Sequence, residues 1–190
     1  MNSSQTKKTG MVSLIGKTNV GKSTLLNQLV EQKVSITSRK PQTTRQRLLG
    51  IKTDGSNQII YVDTPGFHQG HKRALNKFMN KTALSSIEGV DIVLFVVDAL
   101  NFSLTDEHLL NRVPTKDNQV MLVINKIDKV AKKEKLMPFV EEVIKLFPFS
   151  EVIPISALKR KNIDILEREI TKRLPVGAHL YPEDQIAGSS

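Results

Sequence analysis

Apolar positions along this chain fall into two rhythms that alternate: short, nearly unbroken runs, and longer segments spaced at helical period. MVSLI (Met11–Ile15) is a short apolar run of the kind a buried strand needs, and the residues after Ser23 place Leu25, Leu26, Leu29 and Val30 on one helical face. The same pattern predicts strands over Met11–Ile15, Arg45–Thr53, Gln58–Asp63, Asp91–Asp98, Gln119–Asn125 and Glu151–Ile155. It predicts helices over Lys22–Gln32, Leu75–Ile87, Thr105–Val113, Lys132–Phe147 and Ile163–Leu174. Asp91–Asp98 and Gln119–Asn125 are almost wholly apolar, as central strands covered on both faces should be. DGSN (Asp54–Asn57) reads as a hairpin turn, so the second and third strands should be antiparallel and the others parallel, joined by helical crossovers. The expected fold is therefore α/β: a six-stranded, mostly parallel sheet with one antiparallel strand and helices on both faces.

Composition narrows the class. With 190 residues, 39% hydrophobic and 25% charged, the chain suits a single soluble globular domain. It has no cysteine, which excludes disulfides and thiolate metal sites. No run reaches the length of a membrane span, and MNSSQTKKTG lacks the apolar core of a signal peptide. The expectation is a cytoplasmic monomer in which residues 1–9 form a mobile tail and residues 10–175 the folded domain. Pro175 should stop the last helix. VGAHLYPEDQIAGSS after it has no apolar period, so residues 176–190 read as a linker or tail.

Charge is unevenly placed. Residues 1–52 hold ten Lys or Arg and one acid, Glu31, so the whole net charge of +9 lies there. Two explanations stand: a basic face for nucleotide and RNA, or neutralisation of a polyanionic ligand together with a solvated tail. No aromatic side chain interrupts the basic segment Lys33–Lys52, which argues against base stacking there.

The chemistry lies at the predicted carboxyl ends of strands, where open parallel sheets bind ligands. GKTNVGKS (Gly16, Lys17, Thr18, Asn19, Val20, Gly21, Lys22, Ser23) fits G-x-x-x-x-G-K-[ST] between a strand and the helix predicted from Lys22, with Thr24 next in the chain as a further binding candidate. Successive backbone N–H groups and the helix dipole make such a loop a phosphate site. Lys22 adds a charge for the outer phosphates, and Ser23 a hydroxyl for Mg²⁺. DTPG (Asp63–Gly66) supplies an acid able to hold a water of the Mg²⁺ shell, and the Gly66 N–H to reach a terminal phosphate. PQTTR (Pro41–Arg45) offers adjacent hydroxyls, Thr44 or alternatively Thr43, as a further Mg²⁺ ligand. In NKID (Asn125–Asp128), the Asp128 carboxylate can accept two hydrogen bonds from guanine, a pairing adenine cannot offer. Lys126 can lay its stem over the base, and Asn125 can tie this loop to the phosphate loop. In SAL (Ser156, Ala157, Leu158), backbone N–H groups near Ala157 can donate to the guanine carbonyl.

These residues resemble the translation-factor class of small GTPases, and within it the Era family. The resemblance covers about residues 10–185 and rests on PQTTR, DTPGFH (Asp63–His68), the segment Asn76–Asp91 and LPVGAHLYPEDQ (Leu174–Gln185). It implies a Ras-like phosphate-loop domain that hydrolyses GTP to GDP and phosphate, with Lys22, Asn19, Thr44, Asp63 and Gly66 in catalytic positions. It further implies a switch through Lys33–Thr44 and Gly66–Asn80 that serves small ribosomal subunit assembly. In the family a C-terminal KH domain binds ribosomal RNA; here the sequence ends at Ser190 without a GXXG loop, so an isolated GTPase domain is expected, with peripheral inner-membrane association a further family expectation. Phe67 stands where Ras-like enzymes carry a glutamine, which implies slow intrinsic turnover. Asn19 resembles the K⁺-binding asparagine of cation-dependent GTPases; loop geometry is the alternative reason for it. Two rival functions stand beside this one: a nucleotide-gated docking module without useful hydrolysis, and a related GTPase of tRNA modification or large-subunit assembly.

Overall fold

The computed structural model describes residues 6–30, 47–63, 89–115 and 119–182. In chain order these form β1 (Lys8–Ile15), α1 (Lys22–Leu29), β2 (Arg47–Asp54), β3 (Asn57–Asp63), β4 (Ile92–Asp98), α2 (Leu104–Leu110), β5 (Gln119–Asn125), α3 (Leu136–Val143), β6 (Glu151–Pro154) and α4 (Ile163–Arg173). The strands make one six-stranded sheet in the order β2-β3-β1-β4-β5-β6. Only β2 and β3 run antiparallel, as the turn at Gly55 and Ser56 requires. The remaining pairs are parallel.

Period two along the central strands sends alternate side chains into two cores. Ile92, Leu94 and Val96 of β4 pack with Leu25 and Leu29 of α1 and Leu166 and Ile170 of α4. Val93, Phe95 and Val97 of the same strand pack with Leu109 and Leu110 of α2 and Val143 of α3. Helices thus cover both faces, and every residue of β4 is buried.

Several expected boundaries move. β1 begins at Lys8, not Met11, because pairing with Asn57–Ile59 of β3 extends it backward; Lys8 and Thr9 therefore lie in the sheet and not in a tail. The helix expected over Lys132–Phe147 resolves into a 3₁₀ turn, Lys133–Lys135, followed by the eight residues of α3. Pro138 sits in the first turn of α3, where an amide hydrogen would have no intrahelical partner. The helix expected over Leu75–Ile87 lies outside the described residues.

The segment after α4 is docked through Tyr181. Leu174 turns extended before Pro175, as a residue preceding proline prefers. The Thr9 N–H donates to Pro175 O at 3.0 Å, and the Gly177 N–H to Lys7 O at 3.0 Å. Gln58 of β3, wholly buried, then uses both ends of its amide. Its Oε1 accepts from the N–H groups of Leu180 (2.9 Å) and Tyr181 (3.1 Å), and its Nε2 donates to Tyr181 O (2.8 Å). Residues 176–182 of the expected linker thus form a strap across the amino ends of β1 and β3.

Candidate functional site

Gly16–Ser23 carries the chain from the end of β1 into α1. A Cβ on Gly16 would lie 2.4 Å from Val96 O, so only glycine lets this loop leave β1 alongside β4. Asn19 (φ 65°) and Gly21 (φ 98°) adopt left-handed conformations that reverse the loop before the helix. The Lys22 ammonium donates to Lys17 O at 2.6 Å and to Gly16 O, which sets a positive charge within the curve of the loop. Val20 is buried beneath it, while Thr18, Ser23 and Thr24 are exposed. No acidic residue stands in the first turn of α1 to oppose an anion.

The loops after β5 and β6 meet this one. Asn125, 2% exposed, donates from Nδ2 to Val20 O at 2.9 Å and accepts at Oδ1 from the Ala157 N–H at 2.9 Å. One buried amide therefore joins three loops, as the tie expected between Asn125 and the phosphate loop requires. The Ala157 N–H is engaged in that tie. Leu158 is exposed beside it, and its N–H has no partner among the described residues. Ser156, fully buried, donates from Oγ to Asp128 Oδ1 at 2.6 Å and accepts from the Lys159 N–H at 3.1 Å. Asp128, on the 3₁₀ turn Ile127–Lys129, is exposed and aimed by that bond.

Lys126 has a left-handed backbone (φ 66°) and reaches across to the phosphate loop. Its ammonium donates to Asn19 O at 2.5 Å and pairs with Asp98 Oδ2 at 2.7 Å. Asp98, the last residue of β4, escaped sequence reasoning, although a lone acid closing an apolar strand is a legible signal. Burial pushes its carboxyl upward. The hydrogen bond from Lys126, the Leu100 N–H and the charges of Lys126 and Lys129 outweigh that and hold its pKa below the usual carboxylate value. Lys17, foreseen only as a loop residue, pairs with Asp106 of α2 at 2.7 Å.

Asp63 closes β3, its backbone paired with Arg47. Thr43, Thr44, Gly66 and Phe67 lie outside the described residues. Among the described residues no three His, Asp or Glu side chains converge as a metal cluster, and no helix is long and apolar enough to cross a membrane.

A family model described as "50S ribosome-binding GTPase" matches residues 11–126. Over 95% of its length the chain is 51% identical to the protein named GTPase Era of Marinobacter nauticus and 50% identical to that of Glaesserella parasuis, of which it covers 59% and 60%. The chain thus spans about three-fifths of the length of these relatives. Among solved structures it is similar, at 42% identity and TM-score 0.75, to Era in complex with MgGDPNP and nucleotides 1506–1542 of 16S ribosomal RNA; the match covers 94% of this chain and 61% of that one. A substituted Era of Aquifex aeolicus bound to GDP·AlF4− matches at the same identity and TM-score, over 96% of this chain and 62% of that one.

Proposed function

We propose, because this chain belongs to the Era branch of the 50S ribosome-binding GTPase family, that it binds guanine nucleotide with Mg²⁺ and hydrolyses GTP to GDP and phosphate as a switch in small ribosomal subunit assembly. The observation that carries this reading is the Asn125 amide, which locks the phosphate loop at Val20 and the base loop at Ala157 into one frame. A ligand spanning that frame must present phosphates to Lys22 and a base edge to Asp128 at a fixed separation, which is the shape of a nucleoside di- or triphosphate.

The donor set fits Mg²⁺ held by phosphates. The exposed Ser23 hydroxyl at the start of α1 would be a direct ligand, Asp63 would hold a coordinated water, and Thr44, or Thr43, would complete the set. The ion would neutralise charge between the outer phosphates. Lys22 would share that charge, and the Gly66 N–H would donate to the terminal phosphate. Asn19 as a K⁺ ligand belongs to the same reading; its left-handed backbone supports the loop-geometry alternative equally. The small-subunit partner follows the Era relative solved with 16S RNA, while the family description names the large subunit; the higher identity to proteins named Era favours the former.

Calorimetry in magnesium buffer should give heat with GDP and GTP and none with ATP; a folded sample silent with GDP sinks the proposal. Asp128→Asn should lower GDP affinity by about a hundredfold and favour xanthosine nucleotides, because the amide reverses one donor–acceptor pair. Lys22→Ala should remove most triphosphate affinity. Phosphate release under multiple turnover, in potassium and then sodium, separates a GTPase from a docking module: a rate equal to the protein-free control in both cations favours docking.

A further inference from the structure

The Lys17 side chain leaves the phosphate loop and enters the start of α2, nearly ninety residues later in the chain. Its ammonium donates to Asp106 Oδ2 at 2.7 Å, to Ser103 Oγ at 3.1 Å and to Asn101 O. The Lys17 side chain is 12% exposed and that of Asp106 is 0% exposed. Asp106 Oδ2 also accepts the Ser103 N–H at 2.8 Å, one half of a helix capping box. Capping explains that bond and no more. A capping carboxylate needs no full burial, and an Asp106 that served the helix alone would carry an uncompensated charge in the interior. Its Oδ1 is buried without a hydrogen-bond partner among the described residues, and Lys17 is the cation paired with this carboxylate that offsets its desolvation. The pair is thus a buried tie between the phosphate loop and the segment after β4. Lys17 O, on the same residue, is among the carbonyls that hold the Lys22 ammonium.

We propose that Asp106 is a positioning residue for nucleotide binding: through Lys17 it fixes the phosphate loop in the curvature that presents Lys22 to the phosphates. The inference rests on the nucleotide reading above. Asp106 touches no ligand; its effect passes through the backbone of residue 17.

The test compares wild type with Asp106→Asn, Lys17→Met, Lys17→Arg and the double variant Lys17→Met/Asp106→Asn. Each is measured for fluorescent GDP affinity and dissociation rate in magnesium buffer, and for urea midpoint. Each single disruption should weaken GDP by about tenfold, the double variant should be no weaker than either, and Lys17→Arg should stay within about twofold of wild type. A capping residue alone would lower the urea midpoint equally with and without Lys17 and leave GDP affinity unmoved; that result overturns the proposal. So does a double variant that binds GDP as wild type does. The double variant strands no buried charge, so it supplies a decisive answer where a single variant fails to fold. Wild type that does not bind GDP refutes the nucleotide reading itself. Wild type that binds, beside variants that bind equally, refutes only the role of Asp106.

Discussion

Ser156 aims Asp128: its Oγ donates a 2.6 Å hydrogen bond to Asp128 Oδ1 and joins the loops after β6 and β5, 28 residues apart in the chain. The carboxylate is exposed, so without this bond its rotamer would be free. Ser156→Ala should weaken GDP by about five- to tenfold, consistent with the loss of one charge-assisted bond, and keep the preference for guanine over xanthine. Competition titrations with both nucleotides measure it. Affinity equal to wild type would show that Asp128 needs no support.

Asn125 is the costlier position. Asn125→Ala strips a partner from Val20 O and from the buried Ala157 N–H, and should destabilise the protein by about 2–4 kcal/mol. Urea unfolding of the nucleotide-free protein reports this directly. A loss below about 1 kcal/mol would mean the loops hold together without the amide.

Gly16→Ala and Gly55→Ala separate close approach from backbone strain. At Gly16 the new methyl meets the Val96 carbonyl at 2.4 Å, so β1 or β4 must shift, at about 1–3 kcal/mol. At Gly55 no atom of the described residues would lie within 4 Å of the methyl, and the cost is that of the left-handed backbone, about 1 kcal/mol. Gly16→Ala should also weaken GDP, and Gly55→Ala should not. Thermal unfolding with and without GDP distinguishes them.

Gln58→Ala should release the strap at Leu180 and Tyr181 while leaving the sheet paired. Amide hydrogen exchange at those two residues should accelerate by about tenfold or more, with β4 and β5 unchanged. Unchanged exchange would show that contacts other than Gln58 hold the strap.

Asp98 gives a pH dependence of known sign. Its folded-state pKa lies below the ordinary value of 3.8, so its pairing with Lys126 stabilises the protein fully above that value. The contribution is lost as pH falls through the lowered, folded-state pKa. Asp98→Asn should therefore be less stable than wild type at neutral pH, and the two should converge in acid below pH 3.8. Parallel curves across the acid limb would remove Asp98 from the acid response.

Much of this protein was legible in its residues because hydrophobic periodicity and glycine chemistry are local. The runs Asp91–Asp98 and Gln119–Asn125 announced buried central strands, DGSN announced the antiparallel pair, and GKTNVGKS and NKID marked two loops that the fold brings together. The misreadings have a common cause. Lys8–Gly10 carries little apolar signal and is a strand only because Asn57–Ile59 lies beside it. The stretch after Pro175 has no period at all, and its residues up to 182 are docked by Gln58, Ser56 and Lys7, all more than a hundred residues earlier in the chain.

The sequence by itself determined which chemical groups are present and which strand ends carry them. Only the tertiary structure decided which atoms those groups use on one another: that Asn125 takes the Ala157 N–H, that Ser156 holds Asp128, that Lys17 reaches Asp106. The reason is one of range. Helical and strand periods are set by neighbours a few residues away, whereas these hydrogen bonds join segments 28 to 89 residues apart and exist only once strand register has brought them together.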